Sequence, residues 1–325
     1  MQAVWYDRQG PAHEVLQTGE LPDPEPGPGE VRVRLTYSGV NPGDTKKRAG
    51  WLGSAMPYGR VVPHSDGAGV VDAVGEGVDR GRTGRRVWVY GAQSYRPSGT
   101  AAQLVAVPDL LAVDLPDGVS DEVGACLGIP GITAHRAVLA DGPVAGQTIL
   151  IQGVLGGVGA LAAQLALRAR ATVIGTVRRT ADLVRVPAAL THSVALDHPD
   201  PVGAIRAVAP GGVDRVVEVA FSDNVDLDAA VARSGAVIAA YASRSDRPDL
   251  PFWPMLFDNL VIRLLGSDDF PVEAKRQAAA DLTAAARDGA LSIAVGEPLP
   301  LKRAAEAHER VDAGARERVL LSIPA

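Results

Sequence analysis

Residues 148–170 read TILIQGVLGGVGALAAQLALRAR. A short apolar run, Thr148–Gln152, leads into a turn holding Gly153, Gly156, Gly157 and Gly159, and an Ala/Leu-rich helical stretch follows to Arg170. Strand, glycine turn and helix in one βαβ unit let backbone N–H groups and the helix N-terminus approach a pyrophosphate. Counted from the strand end the spacing is G-x-x-G-x-x-G. The G-x-G-x-x-G fingerprint can be laid only on Gly157, Gly159 and Ala162, inside the helix entrance. The competing reading is that these glycines serve only tight helix–sheet packing.

Working outward, the pattern repeats. Apolar strands are expected at Thr172–Thr176, Asp214–Val219, Ala236–Ala240 and Val261–Leu265, with helices at Gly157–Arg170, Thr180–Leu190, Pro201–Ala209 and Asn224–Arg233. Near-continuous apolar strands alternating with helices imply a parallel sheet covered on both faces. The N-terminal part is built differently. It is rich in Pro and Gly (PDPEPGPGE at 22–30) and carries short alternating runs such as Val31-Arg-Val-Arg-Leu35 and Arg86-Val-Trp-Val-Tyr90, as in an antiparallel sheet or partial barrel. The expected fold is α/β: a β-rich domain over 1–122, a Rossmann-type doubly wound parallel-sheet domain over 123–266, and a tail over 267–325 with two helices and a last strand.

The composition excludes several classes. With 325 residues, 46% hydrophobic and 22% charged, the chain has the profile of a globular protein of two domains. A net charge of −6 gives no support to a nucleic-acid or anionic-membrane partner. The single cysteine, Cys126, excludes an intramolecular disulfide framework and any multi-Cys zinc site. No signal-peptide pattern opens the chain and no apolar run approaches the ~20 residues of a membrane span, so the expected setting is cytoplasmic.

The second strand of the doubly wound domain chooses the dinucleotide. An NAD site places an acid there, about 20 residues past the loop, to bind the ribose 2′-hydroxyl. This chain has Arg178 and Arg179 instead, and no acid before Asp182. Paired guanidinium groups suit a 2′-phosphate by charge and fork geometry, which points to NADPH.

In order and spacing, AVWYDRQGPAHEVLQ (3–17), LPDPEPGPGEVRVRL (21–35), SGVNPGDTKKRAG (38–50), HSDGAGVVDAVGEGV (64–78), GIPGITAHRAVL (128–139), the glycine loop and LKRAAEAHERV (301–311) resemble the zeta-crystallin-like quinone oxidoreductases. These are zinc-free members of the medium-chain dehydrogenase/reductase superfamily. The resemblance implies a GroES-like catalytic domain rejoined by the C-terminal tail, a Rossmann-type domain, a homodimer, and NADPH in an interdomain cleft. It implies that Gly153, Leu155, Gly156, Gly157 and Val158 form the pyrophosphate loop and that Arg178 and Arg179 take the 2′-phosphate. Asn41 and Thr133 correspond to residues near the nicotinamide, and His198 to one near the cofactor phosphates. Zinc relatives place a Cys near SGVNPGD and a His directly before the acid of the GAG stretch. Here those places hold Asn41 and Ser65, with His64 one position early, so no metal is expected.

The implied activity is hydride transfer from NADPH to a quinone or small α,β-unsaturated carbonyl. An enoyl-thioester or biosynthetic tailoring reductase, and an NADPH-binding protein without catalysis, are the alternatives. Lys46 stands where relatives often carry Tyr, and is either a charge for an enolate oxygen or a solvated lysine beside Lys47 and Arg48. Tyr241, at the end of a parallel strand, points towards the ligand crevice, where it closes the nicotinamide site, donates a proton or hydrogen bond, or merely fills space. Asp44, Trp51 and Tyr58 are candidates for the substrate pocket. Asp268 and Asp269 either face the cleft or precede the following helix.

Overall fold

A computed structural model describes residues 1–324. The chain forms two compact units, Met1–Ile132 with Ala279–Ala325, and Thr133–Ala278. It passes between them inside the helices Ile129–Leu139 and Val272–Arg287, later than the expected boundaries at 122 and 266, because a continuous helix carries no break in pattern.

In the first unit, β1 (Gln2–Trp5) and β2 (Gln17–Glu20) form an antiparallel ribbon. The main sheet is organised by the long strand β3 (Glu30–Val40). β3 pairs along its length with β4 (Asp66–Val74), which in turn pairs with β5 (Arg86–Val89). Its first half also pairs with β6 (Leu104–Pro108), while β7 (Ala112–Asp114) lies on β5. The period-2 pattern explains β3: Val31, Val33 and Leu35 are buried, and Arg32 and Arg34 on the other face pair with Asp72 at 2.9 and 2.8 Å.

The second unit is a six-stranded, wholly parallel sheet: β8 (Thr148–Ile151), β9 (Thr172–Val177), β10 (His192–Ala195), β11 (Val213–Glu218), β12 (Ala232–Ala240) and β13 (Val261–Leu264). The order is β10-β9-β8-β11-β12-β13, the 3-2-1-4-5-6 Rossmann arrangement. Ile149, Leu150 and Ile151 of the central strand are fully excluded from solvent, each contributing roughly 1.5–3 kcal/mol of burial. Two expectations need correction. The helix expected over Thr180–Leu190 is a 3-10 segment, Thr180–Arg185, because Pro187 removes a backbone donor and drives Val186 out of the helical region. Strand β10 was not anticipated; its four residues, His-Ser-Val-Ala, carry too little apolar pattern.

After the helix Val272–Arg287, β14 (Leu299–Pro300) and β15 (Val319–Ser322) return to the first unit, where β15 pairs with the second half of β3.

Candidate functional site

The glycine loop leaves β8 through Gln152. Gly153 has φ +67°, a left-handed conformation that favours glycine. A Cβ on Gly159 would stand 2.4 Å from the Gly153 carbonyl oxygen, so the helix Gly157–Arg168 approaches the turn more closely than any side chain permits. Gly175 on β9 has the same role towards Val154, whose side chain is buried. Val154 N donates to Thr176 O at 3.0 Å, so this amide holds the turn and is not available to a ligand. Gly156 and Gly157 are exposed, and the first-turn amides of the helix, from Gly157 to Gly159, have no intrahelical acceptor. That donor set fits a pyrophosphate.

Arg178 and Arg179 follow β9 and are both exposed. Arg179 makes only a long contact to Asp182, 3.8 Å, while Arg178 makes no ion pair among the described residues. His198 lies beyond the end of β10. The two strand exits are tied by Thr180, whose amide and hydroxyl donate to Asp197 at 2.8 and 2.7 Å. His198 Nδ1 accepts the Asp200 amide at 3.0 Å, leaving Nε2 outward. Loop, arginines and histidine therefore share the carboxyl edge of one sheet, where open α/β sheets bind ligands. Tyr241 joins the same edge after β12, its amide donating to Glu218 O at 3.0 Å; burial and Glu218 push its phenol well above the usual range. Thr133, the first residue of this unit, is buried.

Of the remaining sequence candidates, all but Asp268 and Asp269 belong to the first unit. Asn41 caps the helix Pro42–Ala49, and its amide hydrogen bonds to Asp44 Oδ2 at 2.8 Å in a capping box. Asn41 Nδ2 donates to Asp66 Oδ2 at 2.7 Å and Oδ1 accepts from Arg318 at 2.9 Å. Asp66 is the hub: its carboxylate also accepts the Ile129 amide at 2.9 and 3.0 Å, at the start of the helix Ile129–Leu139. Gly128 is required there, since a Cβ would sit 2.1 Å from Asp66 Oδ1. Asp44 is buried; burial and then Asp66 raise its carboxyl to about 7. Lys46 Nζ lies over the Trp51 ring at 4.2 Å, and Tyr58 donates to the Tyr95 carbonyl. Asp268 and Asp269 stand in the 3-10 turn Ser267–Asp269 before the next helix, and Lys275 Nζ donates to Asp268 O at 2.6 Å.

Sequence reasoning missed two further constellations. Arg318 reaches Asn41 from 277 residues away in the chain. The second is a buried hydrogen-bond chain. Thr100 Oγ1 donates to Asp66 O at 2.6 Å, so it accepts from Ser38, and Ser38 Oγ in turn accepts from His64 Nδ1–H, both at 2.8 Å. His64 Nε2 then accepts from His308 Nε2–H at 2.9 Å. His64 occupies φ +76°, and burial lowers both imidazoles, His308 to about 3. Among the described residues no group of three or more His, Cys, Asp or Glu side chains could hold a metal ion.

Residues 27–117 match the alcohol dehydrogenase GroES-like domain. Human quinone oxidoreductase is 29% identical over 316 residues, 95% of this chain and 94% of that protein. A mycobacterial relative solved in complex with NADPH superposes with TM-score 0.83 at 27% identity over all of both chains. A structure described as an NAD-dependent alcohol dehydrogenase superposes with TM-score 0.88 at 28% identity, also over both whole chains. Over nearly its whole length the chain is similar to quinone oxidoreductases, and part of its first unit matches the GroES-like domain model. Relatives described with NADPH and with NAD share the fold, and the residues at the end of β9 are what would distinguish the two nucleotides.

Proposed function

We propose that this protein is an NADPH-dependent oxidoreductase that transfers hydride to a quinone or small, uncharged α,β-unsaturated carbonyl, without zinc. The observation that carries the reading is the exposed Arg178–Arg179 pair at the end of β9, beside a glycine turn whose first-turn amides are free for a pyrophosphate. A guanidinium without a protein partner in that position suits a 2′-phosphate. The NADPH complex of the mycobacterial relative supports the same choice.

When bound, NADPH supplies the hydride. The chain's own residues bind and orient. Gly153, Leu155, Gly156, Gly157 and Val158 would cradle the pyrophosphate, with His198 alongside. Asn41 would approach the nicotinamide through its second Nδ2 hydrogen, and Thr133 through its hydroxyl. Tyr241, held as a neutral phenol by burial and Glu218, would donate a hydrogen bond to a developing enolate. Lys46, already seated on Trp51, is the alternative. Zinc independence is supported by the donor set: Asn41 is committed to Asp66 and Arg318, and His64 Nε2 to His308.

We further infer a homodimer formed through β13. This strand closes one edge of the sheet and exposes Val261, Ile262 and Leu264, with Phe252, Trp253 and Phe257 nearby in sequence and equally exposed. An apolar sheet edge of this kind is a template for pairing with another chain. A cytoplasmic setting accompanies the reading, consistent with a lone, buried, unpaired Cys126.

The test is a parallel titration with NADPH and NADH, followed by stopped-flow oxidation over a panel of quinones, enones and acyl thioesters. NADPH should bind about tenfold tighter or more, about 1.4 kcal/mol, and Arg178→Ala should remove most of that gap. Binding of neither nucleotide overturns the reductase reading. NADPH binding without turnover on any acceptor overturns the enzymatic part.

A further inference from the structure

Gln152, Thr176, Glu218 and Asp228 are all fully excluded from solvent within the second unit, and they connect to the glycine loop in a line. Thr176 Oγ1 donates to Gln152 Oε1 at 2.6 Å and accepts the Gly153 amide at 3.1 Å. Gln152 Nε2 donates to Asp228 Oδ1 at 2.8 Å. Glu218 faces Asp228 and accepts from the Ala220 amide and from Asn224 Nδ2, the latter at 3.1 and 3.2 Å.

The directions are fixed by counting protons. The single hydroxyl proton of Thr176 goes to Gln152, so the threonine can only accept from Gly153. The Gln152 amide must therefore turn its oxygen to Thr176 and its NH2 to Asp228. Asp228 Oδ1 is an acceptor, and Oδ2 is buried without a hydrogen-bond partner. No cation acts on Asp228. Burial and the neighbouring Glu218 raise its carboxyl well above the ordinary range, and burial raises that of Glu218. The other titratable group facing the pair is the Tyr241 phenol, from the end of β12; Gln152, Thr176 and Asn224 are neutral. Two buried carboxylates side by side cannot both ionise cheaply, so the pair holds a proton, and Asp228 Oδ2 is where it fits.

We propose that Asp228, protonated on Oδ2 against Glu218, is a positioning residue that locks Gln152 and Thr176 and through them the Gly153 amide, so that loss of this proton loosens the glycine loop. The proposal rests on the reading of that loop as the nucleotide site. The strand exit and the turn are held by two side chains of one hydrogen-bond line, and the line ends on a group that changes charge. As pH rises the second negative charge enters a site with no counter-ion, and the carboxylates separate. The anchor of Gln152 moves with Asp228. Asn at 228 would imitate the protonated form, its Oδ1 accepting from Gln152 and its Nδ2 donating to Glu218, without a titratable proton.

Two measurements test this. In the nucleotide-free protein, the Gly153 amide is followed by 1H–15N correlation spectroscopy from pH 6 to 9.5. Separately, NADPH dissociation constants are measured from pH 7 to 9.5, above the titration of the 2′-phosphate. In the wild type the Gly153 resonance should titrate and the dissociation constant should rise, by up to about tenfold per pH unit above the midpoint for one linked proton. Asp228→Asn should flatten both profiles, and Glu218→Gln, which leaves a single charge, should flatten them too. A Gly153 resonance indifferent to pH in the wild type, or an Asp228→Asn profile that follows the wild type, overturns the proposal. If NADPH does not bind at pH 7, the nucleotide reading fails, and the Gly153 titration still decides whether the carboxyl pair controls the loop.

Discussion

Asp44 gives the sharpest stability prediction. Its carboxyl is buried, faces Asp66 and is raised from 3.8 to about 7. Between those two values the folded protein keeps a proton that the unfolded chain has lost. Stability is therefore fully present below the unfolded pKa and is lost as pH rises through the folded one. Each pH unit in that window is worth about 1.4 kcal/mol. From pH 5 to pH 8 the wild type should lose about 2–3 kcal/mol from this group alone. Asp44→Asn keeps an oxygen to accept the Asn41 amide and removes the titration. The stability of the variant minus that of the wild type should then grow by the same amount over that interval. His64 and His308, lowered by burial, act in the opposite sense, losing stability as pH falls below about 6.5, and they cancel in this difference. The assay is urea unfolding followed by tryptophan emission in a Trp253→Phe background. The remaining tryptophans, Trp5, Trp51 and the fully buried Trp88, all lie in the first unit, so the signal follows the unit that holds Asp44. A difference that stays constant across pH, or shrinks as pH rises, would refute the reasoning.

Gly159→Ala should force the helix off the Gly153 carbonyl, which a Cβ would approach to 2.4 Å, lowering stability by about 1–3 kcal/mol and weakening NADPH binding; calorimetry with and without nucleotide reads both, and an unchanged affinity would show that the close approach is dispensable. Leu264→Lys, on the exposed edge strand β13, should shift the protein to monomer in light scattering while its far-UV spectrum is retained; a wild type that is already monomeric removes the edge-pairing reading. Imidazole 15N shifts should show His64 protonated on Nδ1 and His308 on Nε2. Ser38→Ala, which strands His64 Nδ1–H, should cost about 1–3 kcal/mol; the reversed tautomers would break the chain of donors.

The parallel sheet was legible because its central strands are apolar almost without interruption, and a strand buried on both faces needs that. The same rule explains the omission of β10. At the sheet's margin His192 and Ser193 are only half-buried, so the strand carries no continuous run. The segment Thr180–Leu190 was expected to be a helix, yet Val184 is 88% exposed. Apolar spacing was present without a surface to receive it, and Pro187 ended the segment.

The site was legible where its chemistry is local and hidden where it is not. In the proposed nucleotide site, glycines 153, 156 and 157 and the arginines after β9 would act through backbone conformation and position on a strand, which neighbouring residues reveal. Asn41 is different. The motif around it implies an approach to the nicotinamide, but its side chain is held by Asp66 and by Arg318 from the far end of the chain, partners that no local pattern announces. Glu218 did leave a trace, an acid inside the apolar run Arg215-Val-Val-Glu-Val219. A buried charge in a strand needs a proton or a partner. Read that way, Glu218 calls for a neighbour on the adjoining helix, and the inward-facing acid on Phe221–Val231 is Asp228. The polar residues that break an apolar pattern are therefore the ones whose partners control the loop, and the break in the pattern is what points to them.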